Sequence, residues 1–216
     1  VNCPDGVGMS PLSYAKGYPE VVRCLIGGGA IVDAGVLLDV ISAGNEPSAL
    51  MVLSKIRANL DEEKEREILG LACEKGLKQL ITAILPSTKD TSRKKQLLAT
   101  KAGSTVTSYP LLRSILAGQT EVVTLLLEKG ASIHVQSAEG GETPLLCVAK
   151  LQSREEQMKI AKLLISHGAK GGLCDAKGKS ALHVAAHNGN SDLVRLLLSE
   201  RETCGVSLDQ KGTNLA

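Results

Sequence analysis

An all-helical solenoid of stacked helix–turn–helix units is the fold this sequence predicts, and three observations predict it. The first is a string that recurs. Asp175 to Leu198 reads D-A-K-G-K-S-A-L-H-V-A-A-H-N-G-N-S-D-L-V-R-L-L-L, and weaker copies stand elsewhere in the 216 residues. Self-similarity at a fixed period marks a repeat architecture before any single residue is weighed. The second is the spacing of the copies. Gly44 and Gly76 are 32 residues apart and Ala30 and Ala131 are 101 apart, close to one and three periods of about 33. The third is composition: 43% of residues are hydrophobic but only 1% aromatic, with three Tyr and neither Phe nor Trp. Such a core is built from Leu, Ile, Val and Ala, which suits short helices packed closely.

Taken in order, the first unit has Asp5 and Gly6 to Gly8 for a tight turn. Ser10-Pro11 then opens a helix, a hydroxyl at the cap and a proline where no N–H is needed. A second helix follows from Gly17 to Ile26, and Gly29-Ala30 close the unit; only Lys16 separates Ala15 from Gly17, so either the first helix is clipped or residues are absent from this chain. Unit two carries Leu37, Val40, Gly44 and Met51 to Leu53. Unit three carries Ile68, Leu69, Ala72, Gly76, Leu80, Ile81, Ile84 and Leu85. Both keep the apolar i, i+3, i+4 spacing of short buried helices without a Ser/Thr-Pro opening. Unit four opens at Tyr109-Pro110-Leu111 and closes at Gly130-Ala131; unit five opens at Thr143-Pro144-Leu145 and closes at Gly168-Ala169. Between the helices of unit five, Leu151 to Gln157 reads as a long polar loop. Unit six is the string quoted above, and a seventh begins at Asp209 to Gly212. The boundaries expected are 1–34, 35–60, 61–100, 101–134, 135–171 and 172–205, in one continuous domain over 1–216. The chain starts without Met and stops inside the opening of another unit, as expected of a piece of something longer.

The phased D-x-x-G turns, the Ser/Thr-Pro-Leu openings and the G-x-x-x-V-V-x-L-L-L-x-x-G-A closings resemble the ankyrin repeat. The resemblance implies hairpin fingers projecting from an L-shaped section, a concave face, and a role in binding other macromolecules rather than in chemistry. It further implies that partners are met by the finger tips and the inner face of the first helices. Carried over residue by residue, unit six offers Ala176, Lys177, Lys179, His187 and Asn188; unit five offers Glu139, Glu142, Lys150 and Leu151; unit four offers Leu116 and Ala117. Unit three offers Glu74 and Lys75, unit two Ser42 and Ala43, and unit one Val7, Met9 and Lys16. In the family pattern His183 is structural, expected to bond between neighbouring loops.

Motifs that suggest chemistry yield to this plainer reading. Gly178-Lys179-Ser180 is the tail of a phosphate-binding loop, but Gly172 and Gly178 enclose five residues where four are needed, and Leu173 stands at the required glycine. Gly27 to Gly29 has no preceding strand and matches the end of a second helix. His183 and His187 have the i, i+4 spacing of zinc proteases, yet Val184 stands where Glu would polarise water, and no third ligand follows. No nucleophile elbow, kinase signature or Cys–His pair is present. The expectation is a non-enzymatic, cofactor-free interaction scaffold, monomeric as a domain, for a protein or peptide ligand.

A net charge of +2 implies no nucleic-acid partner, and the scarcity of aromatic residues argues against base stacking. Six scattered cysteines without a C-x-x-C pair fit reduced thiols in the cytoplasm or nucleus. No apolar stretch is long enough to span a membrane. Two charged stretches stand out. Asp61 to Glu67 is net −3 and sits at a helix entry, where acids favour the dipole. Leu85 to Pro110 spans 25 residues against 16 from Ile165 to Ala181, which marks a basic insertion over 86–104. Its Lys89, Arg93, Lys94, Lys95 and Lys101 give Lys89–Lys101 a net charge of +4. That segment reads as a solvated loop or, alternatively, as an attachment point for an anionic lipid or phospho-ligand. A regulatory or spacer domain inside a larger enzyme is a further alternative.

Overall fold

The computed structural model describes residues 1–85, 97–98, 109–137 and 140–199. It divides into two compact units, Val1–Leu97 and Leu98–Ala216. Among the described residues the secondary structure is helical, apart from one isolated antiparallel bridge between Cys174 and Ser180. The basic insertion, with Lys89, Arg93, Lys94, Lys95 and Lys101, and the start of a seventh unit lie outside the described residues.

The first unit holds three helix pairs. They are α1 (Pro11–Tyr14) with α2 (Pro19–Gly27), α3 (Ala34–Ser42) with α4 (Glu46–Ile56), and α5 (Glu62–Lys75) with α6 (Lys78–Ile84). The second unit repeats the scheme with α7 (Pro110–Leu116) and α8 (Thr120–Glu128), α9 (Pro144–Ala149) and α10 (Arg154–Ser166), and α11 (Ala181–His187) and α12 (Ser191–Ser199). Within each unit every first helix packs on the next first helix and on its own partner. The second helices stack likewise, α2 on α4 on α6 and α8 on α10 on α12. This nearest-neighbour pattern makes an all-α ankyrin-type solenoid rather than a closed core.

Local chemistry explains the helix ends. Ser10 accepts the Ser13 N–H at 3.2 Å and Thr143 accepts the Leu146 N–H at 3.3 Å, with proline at the first helical position in both helices. Asp33 and Asp61 cap α3 and α5, accepting from Val36 at 2.8 Å and Lys64 at 2.7 Å. The short first helix is explained too: α1 has four residues and passes into a 3-10 turn at Ala15–Gly17. Gly118 takes φ +70°, a left-handed value that lets the α7–α8 turn reverse within three residues.

The polar stretch of the fifth pair departs from the sequence reading. It is not a loop from Leu151 to Gln157: α10 begins at Arg154 and runs 13 residues, against nine in α8 and nine in α12. Four extra residues are close to one helical turn of 3.6, so the lengthened helix keeps its apolar face in phase. Ser153 accepts the Glu156 N–H at 3.4 Å, and Glu155 and Glu156 occupy the first turn, where the helix dipole favours acids.

The core is aliphatic. Leu37, Ile41, Leu69, Ile81, Leu112, Ile115, Leu126 and Leu145 are all buried to 2% exposure or less, each worth about 1.5–3 kcal/mol of transfer free energy. Register shows how stacking achieves this. Leu80, Ile160 and Leu193 occupy one position of the second helices and are 0%, 0% and 1% exposed, because the preceding second helix packs there. Val21 holds the same position in α2 and is 47% exposed. Its neighbour Val22, on the side facing α4, is fully buried.

Candidate functional site

Two fingers share one construction. Asp175 accepts the N–H groups of Lys177 at 2.9 Å and Lys179 at 2.8 Å on a single carboxylate oxygen, while Gly178 N–H bonds the Asp175 carbonyl at 2.9 Å. Asp5 repeats this with Val7 at 2.9 Å, Met9 at 2.8 Å and Gly8 at 3.0 Å. Asp suits the role because its short carboxylate reaches its own backbone two and four residues on. In the first finger the Tyr14 hydroxyl also donates to Asp5. That bond, helped by the backbone N–H groups, holds the Asp5 carboxyl below its ordinary range and raises the Tyr14 hydroxyl.

The fifth finger uses Ser137 instead. Its amide donates to the Glu142 carbonyl at 3.0 Å and its hydroxyl accepts the Glu142 N–H at 2.9 Å. Neighbouring fingers are tied together. Gln136 donates to Gly141 at 3.0 Å and to Cys174 at 3.1 Å, and the Ala176 N–H bonds the Gly140 carbonyl at 3.0 Å. This is the bond between loops that the sequence assigns to His183. His183 instead turns back on its own helix start, accepting the Ser180 N–H at 3.2 Å with Ser180 Oγ at 2.8 Å. The ring is thereby closed into a capping box at the start of α11.

The residues expected to meet a partner fall into separate groups. Ala176, Lys177 and Lys179 are exposed on the sixth finger, with the two lysine N–H groups satisfied by Asp175. Lys150, Leu151, His187 and Asn188 lie at the other ends of α9 and α11, about 10 Å from the finger for a seven-residue helix. Asn188 is spoken for in part, donating to the Ala149 carbonyl at 3.0 Å. Glu142 and Lys150 form an ion pair along α9, so they present a neutralised pair rather than two charges. Leu116 is 41% exposed and Ala117 is half-buried at the α7–α8 turn. Glu74 and Lys75 end α5 in the first unit, where the exposed Ser42 ends α3 and the exposed Ala43 follows it. Val7 and Lys16 are also exposed and Met9 half-buried. Glu139 lies outside the described residues.

Sequence reasoning missed a polar cluster at the α9–α10 and α11–α12 turns. Gln157 is 2% exposed and donates to the Val148 carbonyl at 2.9 Å; Asn190, 4% exposed, donates to Gln157 and caps α12 by accepting the Leu193 N–H at 3.1 Å. The signal was the four-residue excess before Ile160, which places a Gln inside α10 at a phase where α8 and α12 have not yet begun.

Among the described residues no acid–base or nucleophilic grouping emerges from this geometry. Burial, and secondarily the Glu142 carboxylate, pushes the Cys147 thiol up to about 12, so it carries no thiolate at neutral pH. Cys3, Cys24, Cys73, Cys147 and Cys174 are free thiols. Among the described residues no group of three or more His, Cys, Asp or Glu is placed to hold a metal ion, and no helix is long and apolar enough to cross a membrane.

Stacked helix pairs with carboxylate-locked fingers are the repeating structural unit of this chain. Residues 111–211 match the family model for ankyrin repeats, in three copies. It is 26% identical to the ankyrin repeat and KH domain-containing protein mask-1 of Caenorhabditis elegans over 92% of its length, which is 7% of that relative. It is 35% identical to the B-cell lymphoma 3 protein homolog of Mus musculus over 41% of its length and 19% of the relative. With human Rabankyrin-5 it shares 28% identity over 67% of its length and 12% of the relative. The chain thus spans less than a fifth of each of these relatives. Ankyrin repeats generally mediate protein–protein interaction.

Proposed function

We propose that this chain is a non-enzymatic docking module that holds a partner protein or peptide along its finger tips and the adjoining face of its first helices, the concave side in this family. The observation that carries the reading is the sixth finger. Asp175 satisfies the backbone of residues 177 and 179, so the tip is pre-shaped and its two lysine side chains are left to a ligand. Pre-shaping matters because ordering a loop on binding subtracts directly from affinity. The tie from Gln136 and Gly140 to the sixth finger fixes the spacing of neighbouring tips. Absence of a thiolate at Cys147 and the family's usual role both favour binding over catalysis.

The test is a quantitative pull-down from an extract of the organism's own cells, with Lys177, Lys179, His187 and Asn188 replaced by Ala. Partner capture is expected to fall at least tenfold while the circular dichroism and melting curve stay unchanged. Undiminished capture by the folded variant would remove the finger and first-helix assignment.

A further inference from the structure

The lengthened α10 builds a groove at the ends of the first helices, away from the finger tips, which takes in Leu151 and Asn188 of the expected partner face. It is a recess of about 290 Å³ lined by Leu151, Gln152, Arg154, Gln157, Asn188 and Asn190. All six residues belong to the second unit, at the end of the helices away from the fingers. The cause is the extra helical turn. Four residues at 1.5 Å each carry the start of α10 about 6 Å beyond the point where α8 and α12 begin. Arg154 and Gln152 therefore stand beside the α11–α12 turn that supplies Asn188 and Asn190.

The lining is rich in hydrogen-bond donors. Gln157 gives one amide hydrogen to Val148, Asn188 one to Ala149 and Asn190 one to Gln157. Each amide nitrogen has a second hydrogen, and a guanidinium offers five N–H groups. The acceptors are more fully used, since Gln157 Oε1 takes the Asn190 amide and Asn190 Oδ1 takes the Leu193 N–H. Arg154 is exposed, and among the described residues no carboxylate pairs with it. The two acids that follow it are turned elsewhere: Glu155 pairs with Lys159 at 2.6 Å, and Glu156 lies against Gly118 of the α7–α8 turn.

We infer that this groove seats a glutamate side chain of a peptide partner, its carboxylate paired with Arg154 and the exposed amides of Gln152 and Asn188, and its aliphatic stem against Leu151. A planar guanidinium binds a carboxylate through two parallel N–H bonds, which neither a lysine nor an amide of the partner reproduces. A basic side chain would meet Arg154 as a like charge, and an apolar one would leave the donors unmatched. The inference rests on the docking role proposed above and names the chemistry of a second contact point for the same partner.

The experiment is a titration of the full 216-residue chain with acetylated, amidated tetraglutamate, followed by ¹⁵N–¹H correlation spectra. Tetraglutamine serves as the neutral control. Expected are saturable shifts at the side-chain amides of Gln152 and Asn188, and an affinity at least tenfold lower in Arg154→Glu. Arg154→Lys should lose severalfold, because it keeps the charge without the paired N–H geometry. Gln152→Leu, which leaves the helix start and the charge unchanged, should also weaken binding severalfold. Equal shifts with tetraglutamine, or an unchanged affinity in Arg154→Glu, would overturn the inference. Lys177→Ala with Lys179→Ala should leave tetraglutamate binding intact. If the groove fails while Lys177→Ala with Lys179→Ala still loses the partner, this inference falls alone; if the groove binds while that double variant keeps the partner, the finger reading falls instead.

Discussion

Replacing Asn190 by Ala isolates the polar cross-link between the fifth and sixth helix pairs. The side chain does two jobs: its oxygen accepts the Leu193 N–H at the start of α12, and its amide donates to the buried Gln157. Loss of such a cap costs about 1 kcal/mol. Leaving Gln157 Oε1 buried without its donor costs a further ~1–3 kcal/mol, since Gln157 is 2% exposed and water has little access. The expected destabilisation is therefore about 2–4 kcal/mol. Urea unfolding of the wild type, Asn190→Ala, Gln157→Leu and the double variant supplies the measurement. Gln157→Leu removes the other end of the bond, so the two losses should overlap, leaving a coupling of ~1 kcal/mol or more, as contacting residues show. Strict additivity, or a single-variant loss below ~0.5 kcal/mol, would refute the reasoning.

Two further outcomes follow from the fingers. Gly141 sits at φ +63° with the Ala176 backbone nitrogen 2.9 Å from where a Cβ would stand, so Gly141→Ala should cost more than ~1 kcal/mol. That loss should read as a drop of several degrees in Tm, and an unchanged Tm would contradict the close approach of the two fingers. Asp5 has a lowered folded-state pKa, so its contribution is present above the ordinary value of about 3.9 and is lost as pH falls through the lower folded value. A carboxyl-detected NMR titration should place its midpoint below that ordinary value, and Tyr14→Phe should move it back up; a wild-type midpoint at or above it would refute the Tyr14 bond.

Much of the fold was legible because its rules are local. The Asp-x-x-Gly turns forecast the first and sixth fingers, since only a short acid reaches its own following amides. The apolar spacing of Leu37 and Val40, both buried, revealed α3 without any Ser/Thr-Pro opening. What escaped was set by packing between pairs. Leu151 to Gln157 looks like a loop because it is polar, yet the buried Gln157 is fixed by Val148 and Asn190, partners nine and 33 residues away. The bonding of His183 escaped for a related reason: spacing alone does not show that its ring closes on Ser180 at the start of its own helix. Of the candidate contacts, the finger lysines were readable from the turn pattern, whereas the pairing of Glu142 with Lys150 depends on the length of α9 and could not be read from spacing alone.

The thirteen-residue α10 also bears on how such chains change. Each residue added inside a helix rotates everything before it by about 100°, so one or two would swing the oily side toward water, while four nearly restore it. Edits within a pair are thereby quantised to whole turns, and anything else must be shunted into a connection. Engineers wishing to widen the recess beside Arg154 should accordingly lengthen α10 or α12 by four residues, or by seven, and expect intermediate insertions to melt the neighbourhood.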